Sequence, residues 1–211
     1  MTTRRASLRL LGGALVAPAL LTAPRLAAAT DFAANAGTFI EKRGSEVIAI
    51  VNGSESVDAK RQAVARVLRE AVDIPGVAQF VLGRHWRTAS EAQRQEYLSL
   101  FEETLVRNLS ARFGELRGVT FNVGRKQMAS EAEAVVSTTV ARPNNPEIML
   151  DWRVADVSGN PKIVDVVAEG SSLRITQRSE YAAVVQRGGG MDGLLTAMRQ
   201  QLAQLQSQEQ R

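Results

Sequence analysis

The chain has 211 residues, with 26 Lys+Arg against 22 Asp+Glu, a formal net charge of +4 and a pI near 9.9. Arg4, Arg5, Arg9 and Arg25 lie in residues 1–29, which carry no acid, so residues 30–211 are formally neutral and offer no bulk charge for nucleic acid or an anionic membrane. The sequence contains no Cys, which excludes disulfides, thiolate metal ligands and Cys nucleophiles.

Residues 1–29 read as an export signal: a basic start, an apolar stretch from Leu10 to Leu21, and Ala27-Ala28-Ala29 as a small-residue cleavage site. The apolar stretch is interrupted by Gly12, Gly13 and Pro18 and falls short of the roughly 20 residues a membrane span needs. Thr3 to Arg9 resembles a twin-arginine export motif with Ser7 where a Phe is usual, and ordinary export remains equally open. With no Cys at the cleavage site, a lipoprotein anchor is not expected. Residues 30–211 then form one domain of about 182 residues, expected in the periplasm.

The first half is helical in pattern. Residues 31–51 repeat Phe32, Phe39, Ile40, Val47, Ile48 and Val51 at spacings near 3.6, and Asn52-Gly53 stops the run. Residues 56–72 place Val57, Val64, Val67, Leu68, Ala71 and Val72 on one face. Asp73-Ile74-Pro75 opens a short third helix that stops at Gly83. Ser90 with Gln93 spells a capping box and starts the helix expected to be the longest, 90–116, with Tyr97, Leu98, Phe101, Leu105, Leu109, Phe113 and Leu116 as its buried stripe.

After Gly118 the period becomes two. Strands are expected at 119–125, 132–142, 147–157 and 162–168, with Ser158-Gly159-Asn160-Pro161 as the last turn. Short links make these an antiparallel meander. From about Leu173 the chain is helical again, breaks at Gly188-Gly189-Gly190, and ends in an amphipathic helix whose Gln-rich tail after 204 is expected to fray. The fold class is therefore α+β: a four-stranded antiparallel meander packed against several helices, an arrangement that can enclose an apolar pocket.

Little here supports catalysis. His85 is the sole histidine, and no Gly-x-Ser-x-Gly elbow presents a nucleophile for it, so a hydrolase is the weaker alternative and a boundary histidine the plainer one. One His and no Cys leave only all-oxygen metal sites, and no Asp-rich loop supplies one, so neither metal nor cofactor is expected. Adjacent Glu102 and Glu103 point about 100° apart on a helix and cannot share a substrate. Gly188-Gly189-Gly190 follows a helix and lacks a P-loop Lys-Ser/Thr, so it reads as a helix stop. Arg174, Arg178 and Arg187 lie near it; they could meet a phosphate head group or simply be solvated or acid-paired. Apolar binding is better supplied: Leu98, Phe101 and Leu105 face strands whose inner residues are read as Ile148, Leu150, Trp152, Val154, Val164 and Val166, although an ordinary filled core would use the same residues.

The wording of the sequence adds to its periodicity. Ile74-Pro75-Gly76-Val77-Ala78-Gln79-Phe80-Val81-Leu82-Gly83-Arg84-His85-Trp86-Arg87 and the following Thr88 to Phe101 resemble consecutive segments of the MlaC family of phospholipid-binding proteins. Val154 to Val157 with Lys162 to Val166 looks like that family's hairpin, and Gly170-Ser171-Ser172-Leu173-Arg174-Ile175-Thr176-Gln177-Arg178-Ser179-Glu180-Tyr181 matches its most specific word, with Ser171 where Val is frequent. The resemblance spans roughly 31–200 in the right order.

That resemblance implies a periplasmic carrier without catalysis. Such a protein buries acyl chains between sheet and helices, leaves the head group near the mouth, and shuttles lipid between an outer-membrane lipoprotein–porin complex and an inner-membrane ABC transporter with an MCE-domain subunit. Related hopanoid-associated members share the motifs, so a hopanoid or other apolar lipid is the alternative cargo. From the amphipathic faces, the expected lining is Phe80, Tyr97, Leu98, Phe101, Leu150, Trp152, Val164, Val166, Ile175, Tyr181 and Val185, with Arg174 and Arg178 near the head group.

Overall fold

The computed structural model describes residues 23–143 and 145–209. Most of the expected leader lies outside them; residues 23–29 continue into the first helix.

Among the described residues, seven helices and five strands follow in the order α1 (Ala23–Asn52), α2 (Val57–Ala71), α3 (Ile74–Leu82), α4 (His85–Thr88), α5 (Glu91–Ser110), β1 (Thr120–Ser130), β2 (Glu133–Ala141), β3 (Ile148–Val157), β4 (Asn160–Ala168), β5 (Ser171–Ser172), α6 (Leu173–Arg187) and α7 (Gly190–Glu209). Local chemistry sets the helix starts. Ser56 accepts from the Ala59 N–H at 3.2 Å, and Asp73 accepts from Gly76 N–H at 3.2 Å with Pro75 in the first turn. Ser90 and Gln93 close the full capping box, at 3.2 and 2.9 Å. At the other end of α1, the buried ammonium of Lys60 donates to the Val51 carbonyl at 2.8 Å, satisfying an orphan acceptor with a cation where the helix dipole favours one.

Two helix lengths differ from expectation. α1 runs for 30 residues and is the longest, whereas α5 stops at Ser110 instead of continuing to 116. The chain beyond Ser110 tightens into turns, with Phe113 N–H bonding the Ser110 carbonyl at 3.1 Å. Phe113 and Leu116 still pack, against Val51 and Val64, so their apolar spacing outlasts the helix that it imitates.

The sheet is an antiparallel meander in the order β1-β2-β3-β4-β5. The fifth strand, two residues long, was not expected; it pairs Val167 with Ser172 and Ala168 with Ser171. Both β3–β4 and β4–β5 turn on two residues with positive φ, Ser158-Gly159 (54° and 81°) and Glu169-Gly170 (50° and 79°), the backbone a tight hairpin needs. β1 reaches Ser130 rather than 125 because a register shift between Val123 and Lys126 breaks the alternation without ending the strand. Another shift, between Arg153 and Val154, changes the phase of β4: Trp152 pairs with Val166, but Val154 pairs with Ile163. Cross-strand partners share a face, so Ile163 and Val166 point to the core together. Val164 therefore does not join Val166 on that face, as a strict period of two had suggested.

α1 lies along β1 and β2, while α2, α3 and α6 back β4. Val72, just past α2, bridges to Ile163, and Asp73 N–H bonds the Ile163 carbonyl at 3.0 Å, which ties the helices to the sheet edge. α5 packs instead on α7, α2 and α3. The interior is accordingly divided. One cluster joins α1 (Ala33, Ala36, Ile40) to the sheet (Ala134, Val136, Val154, Ile163). A second, wholly helical, joins α3, α5, α6 and α7 through Ala78, Val81, Tyr97, Tyr181, Leu194 and Met198. A third closes the far ends of α1 and α2.

Candidate functional site

The expected lining residues fall on two separate surfaces: Leu98, Phe101 and Leu105, expected to face the strands, lie on α5, which packs on α2, α3 and α7, while the sheet residues pack with α1. On the sheet, the rungs Val136–Trp152–Val166 and Thr138–Leu150 with Ala168 present half-buried Trp152, Val166 and Leu150. Trp152 is fixed there: its indole N–H donates to Thr138 Oγ1 at 2.8 Å, that hydroxyl donates to the Leu150 carbonyl at 3.3 Å, and Phe121 meets the indole edge-on at 6.5 Å. Trp152 and Val166 pack against the sheet cluster.

On the helices, Phe80, Tyr97, Leu98, Phe101, Tyr181 and Val185 come together in the second cluster. Tyr97 is fully buried, donates to the Ala78 carbonyl at 2.9 Å, and meets Phe101 and Tyr181 at ring distances of 5.8 and 6.2 Å. Burial drives the pKa of Tyr97 far above the usual phenol value, with Tyr181 adding to it; burial, then Glu180, pushes Tyr181 up to about 12. Both phenols stay neutral. Leu98, Phe101, Leu105 and Leu109 form a stripe along α5 that remains only half-buried.

Three expected residues sit apart. Leu150 and Val164 are half-buried and belong to none of the three clusters, and Ile175 is 55% exposed. Conversely, Leu194, Leu195 and Met198 of α7 close the helical cluster. Their amphipathic spacing was readable, but nothing in the sequence tied α7 to α5. Two surface grooves, of about 340 Å³ between α2 and α5 and about 440 Å³ beside the start of α1, are lined mainly by charged and polar residues and touch none of the expected lining. Neither is the apolar pocket expected from the sequence.

One corner of the helical cluster is basic. The Arg174 and Arg178 guanidiniums lie over the Phe80 ring at 4.6 and 5.0 Å. Asp165, 5% exposed, anchors this corner: it accepts from Ser172 Oγ at 2.6 Å, Val166 N–H at 2.8 Å and Arg174 N–H at 3.1 Å, and lies 3.4 Å from the Arg174 guanidinium. Arg187 stands away from it. Thirteen residues along α6 place it about 20 Å from Arg174, where its Nε bonds the Ala183 carbonyl.

The remaining candidates are structural. Glu102 pairs with Arg69 at 2.5 Å and Glu103 with Arg107 at 2.9 Å. Gly189 and Gly190 take positive φ between α6 and α7. His85 is half-buried at the start of α4, and its ring has no hydrogen-bond or carboxylate partner among the described residues. Among those residues no group of His, Asp and Glu could hold a metal ion, and no helix is long and apolar enough to cross a membrane.

A helix-backed antiparallel meander, with its apolar residues divided between a sheet cluster and a helical one, defines the class of fold. The sequence pattern of the MlaC protein family matches residues 41–200, and the chain belongs to that family. Its fold is similar to that of a phospholipid-binding protein from Ralstonia solanacearum solved in complex with a phospholipid, with a TM-score of 0.72 and 25% identity over 81% of this chain and 98% of that one.

Proposed function

We propose that this protein is a periplasmic lipid carrier that takes the acyl chains of a phospholipid between its two apolar walls. The similarity to a phospholipid-bound relative along nearly that relative's whole length carries the reading. The energetics agree: each buried CH₂ contributes about 0.8 kcal/mol, so a 16-carbon tail gains on the order of 12 kcal/mol. Lining comes from Phe80, Leu98, Phe101 and Val185 on one side and Leu150, Trp152 and Val166 on the other, with Tyr97 and Tyr181 at the base and Ile175 at the rim. No bond is made or broken.

Residues 1–29 act as the export signal, and the carrier moves lipid between an outer-membrane lipoprotein–porin complex and an inner-membrane ABC transporter of MCE type. Organic extraction of the purified protein followed by mass spectrometry tests the reading. Phospholipid in near-equimolar amount is expected; a hopanoid would redirect the cargo, and a lipid-free extract from protein made in a lipid-replete host would contradict the carrier.

A further inference from the structure

Resting on the carrier reading, we infer that Arg178, held against Phe80 beside Arg174, binds the phosphodiester of the lipid and makes the site selective for phosphate-bearing lipids over uncharged ones. The geometry supports this at several points. Two guanidiniums stack on one aromatic ring at 4.6 and 5.0 Å, yet a single buried carboxylate, Asp165, serves them. Asp165 lies 3.4 Å from Arg174, and Arg178 has no carboxylate partner among the described residues, so the pair carries one positive charge in excess. Stacking on Phe80 leaves the planar N–H fork of a guanidinium free at its edge, which is the geometry that meets a phosphate.

The position also suits an amphiphile. Phe80 belongs to the helical cluster proposed to receive the chains, so the charge stands one ring away from the apolar interior. Leu173 and Ile175, 52% and 55% exposed, border Arg174 in the first turn of α6. A ligand at this rim meets apolar surface and cation together. Gly83 allows the approach: with φ of 58° and no Cβ, it lets the Arg178 guanidinium reach the end of α3, where an added Cβ would come within 3.1 Å of Nη2.

The test loads full-length mature protein, Arg178→Gln and Arg178→Lys from vesicles holding equal dioleoylphosphatidylcholine and dioleoylglycerol, which share chains and differ in the phosphate. The lipid ratio is then read by mass spectrometry after repurification. A charge-assisted contact predicts about tenfold preference for the phospholipid in the wild type, falling toward parity in Arg178→Gln while dioleoylglycerol uptake is unchanged, with Arg178→Lys between. Parity in the wild type, or an unaltered ratio in folded Arg178→Gln, overturns the inference. So does binding of millimolar inorganic phosphate at Arg178 with the ratio unmoved, which would mark a site for the free anion. Loading of neither lipid by any form would instead sink the carrier reading itself.

Discussion

The phenol of Tyr97 donates to the Ala78 carbonyl at 2.9 Å, locking α5 to α3 at a position where Tyr97 has no solvent exposure. Tyr97→Phe removes that donor and with it the hydrogen bond that ties α5 to α3. The expected loss is about 1–2 kcal/mol of folding stability, read as a lower urea midpoint at unchanged m-value.

Alkaline pH probes the same pair. The chain has two tyrosines, both buried. The folded pKa of Tyr181 is pushed up to about 12, while an unfolded chain titrates near 10, so the native state retains protons that the unfolded state releases. Stability is therefore fully present below about pH 10 and is lost as pH rises toward about 12. Tyrosinate absorbance should appear together with unfolding rather than before it, and Tyr181→Phe should flatten the decline.

Asp165 joins β4 to the start of α6 through two hydrogen bonds, from Ser172 Oγ and Arg174 N–H, and the Arg174 ion pair, and accepts a third, local bond from Val166 N–H. Asp165→Ala strands the Ser172 hydroxyl, two backbone N–H groups and a partly buried cation. A loss of about 3 kcal/mol or more is expected in chemical denaturation. The companion Arg174→Ala, which leaves the carboxylate with its other donors, should cost less.

Gly83 takes φ of 58° against Arg178. Gly83→Ala should cost about 1–2 kcal/mol from backbone strain and displace Arg178 from Phe80. A variant as stable as the wild type would argue against that strain.

How legible the fold was depended on how local its causes were. Ser90, Gln93, Asp73 and Gly83 declared their helix ends because a cap is settled by neighbours in sequence. Strand existence was equally plain. Strand phase was not, because the shift at Arg153/Val154 is a property of the pairing, and a period-two count carried Val164 where Ile163 belongs. The end of α5 was misplaced for a related reason: Phe113 and Leu116 are buried by the ends of α1 and α2, and burial imposes apolar spacing on turns as readily as on helices. At the site, six of the expected side chains converge in one helical cluster because they were read from helical faces that do pack together. Whether the walls separate around a ligand is a matter of two states, which no single periodicity encodes. Arg187 was grouped with Arg174 and Arg178 by proximity in sequence, although a helix of 15 residues separates its ends by about 20 Å.

The central claim is that a lipid lies between the helical wall and the sheet. Native mass spectrometry of the purified wild type, Leu98→Glu and Val166→Glu, each first shown to be folded by circular dichroism, tests it most directly. The predicted result is a wild type carrying the added mass of one phospholipid and two folded variants without it, since a carboxylate on either wall must be desolvated by the chains. Equal lipid occupancy in all three would contradict the claim.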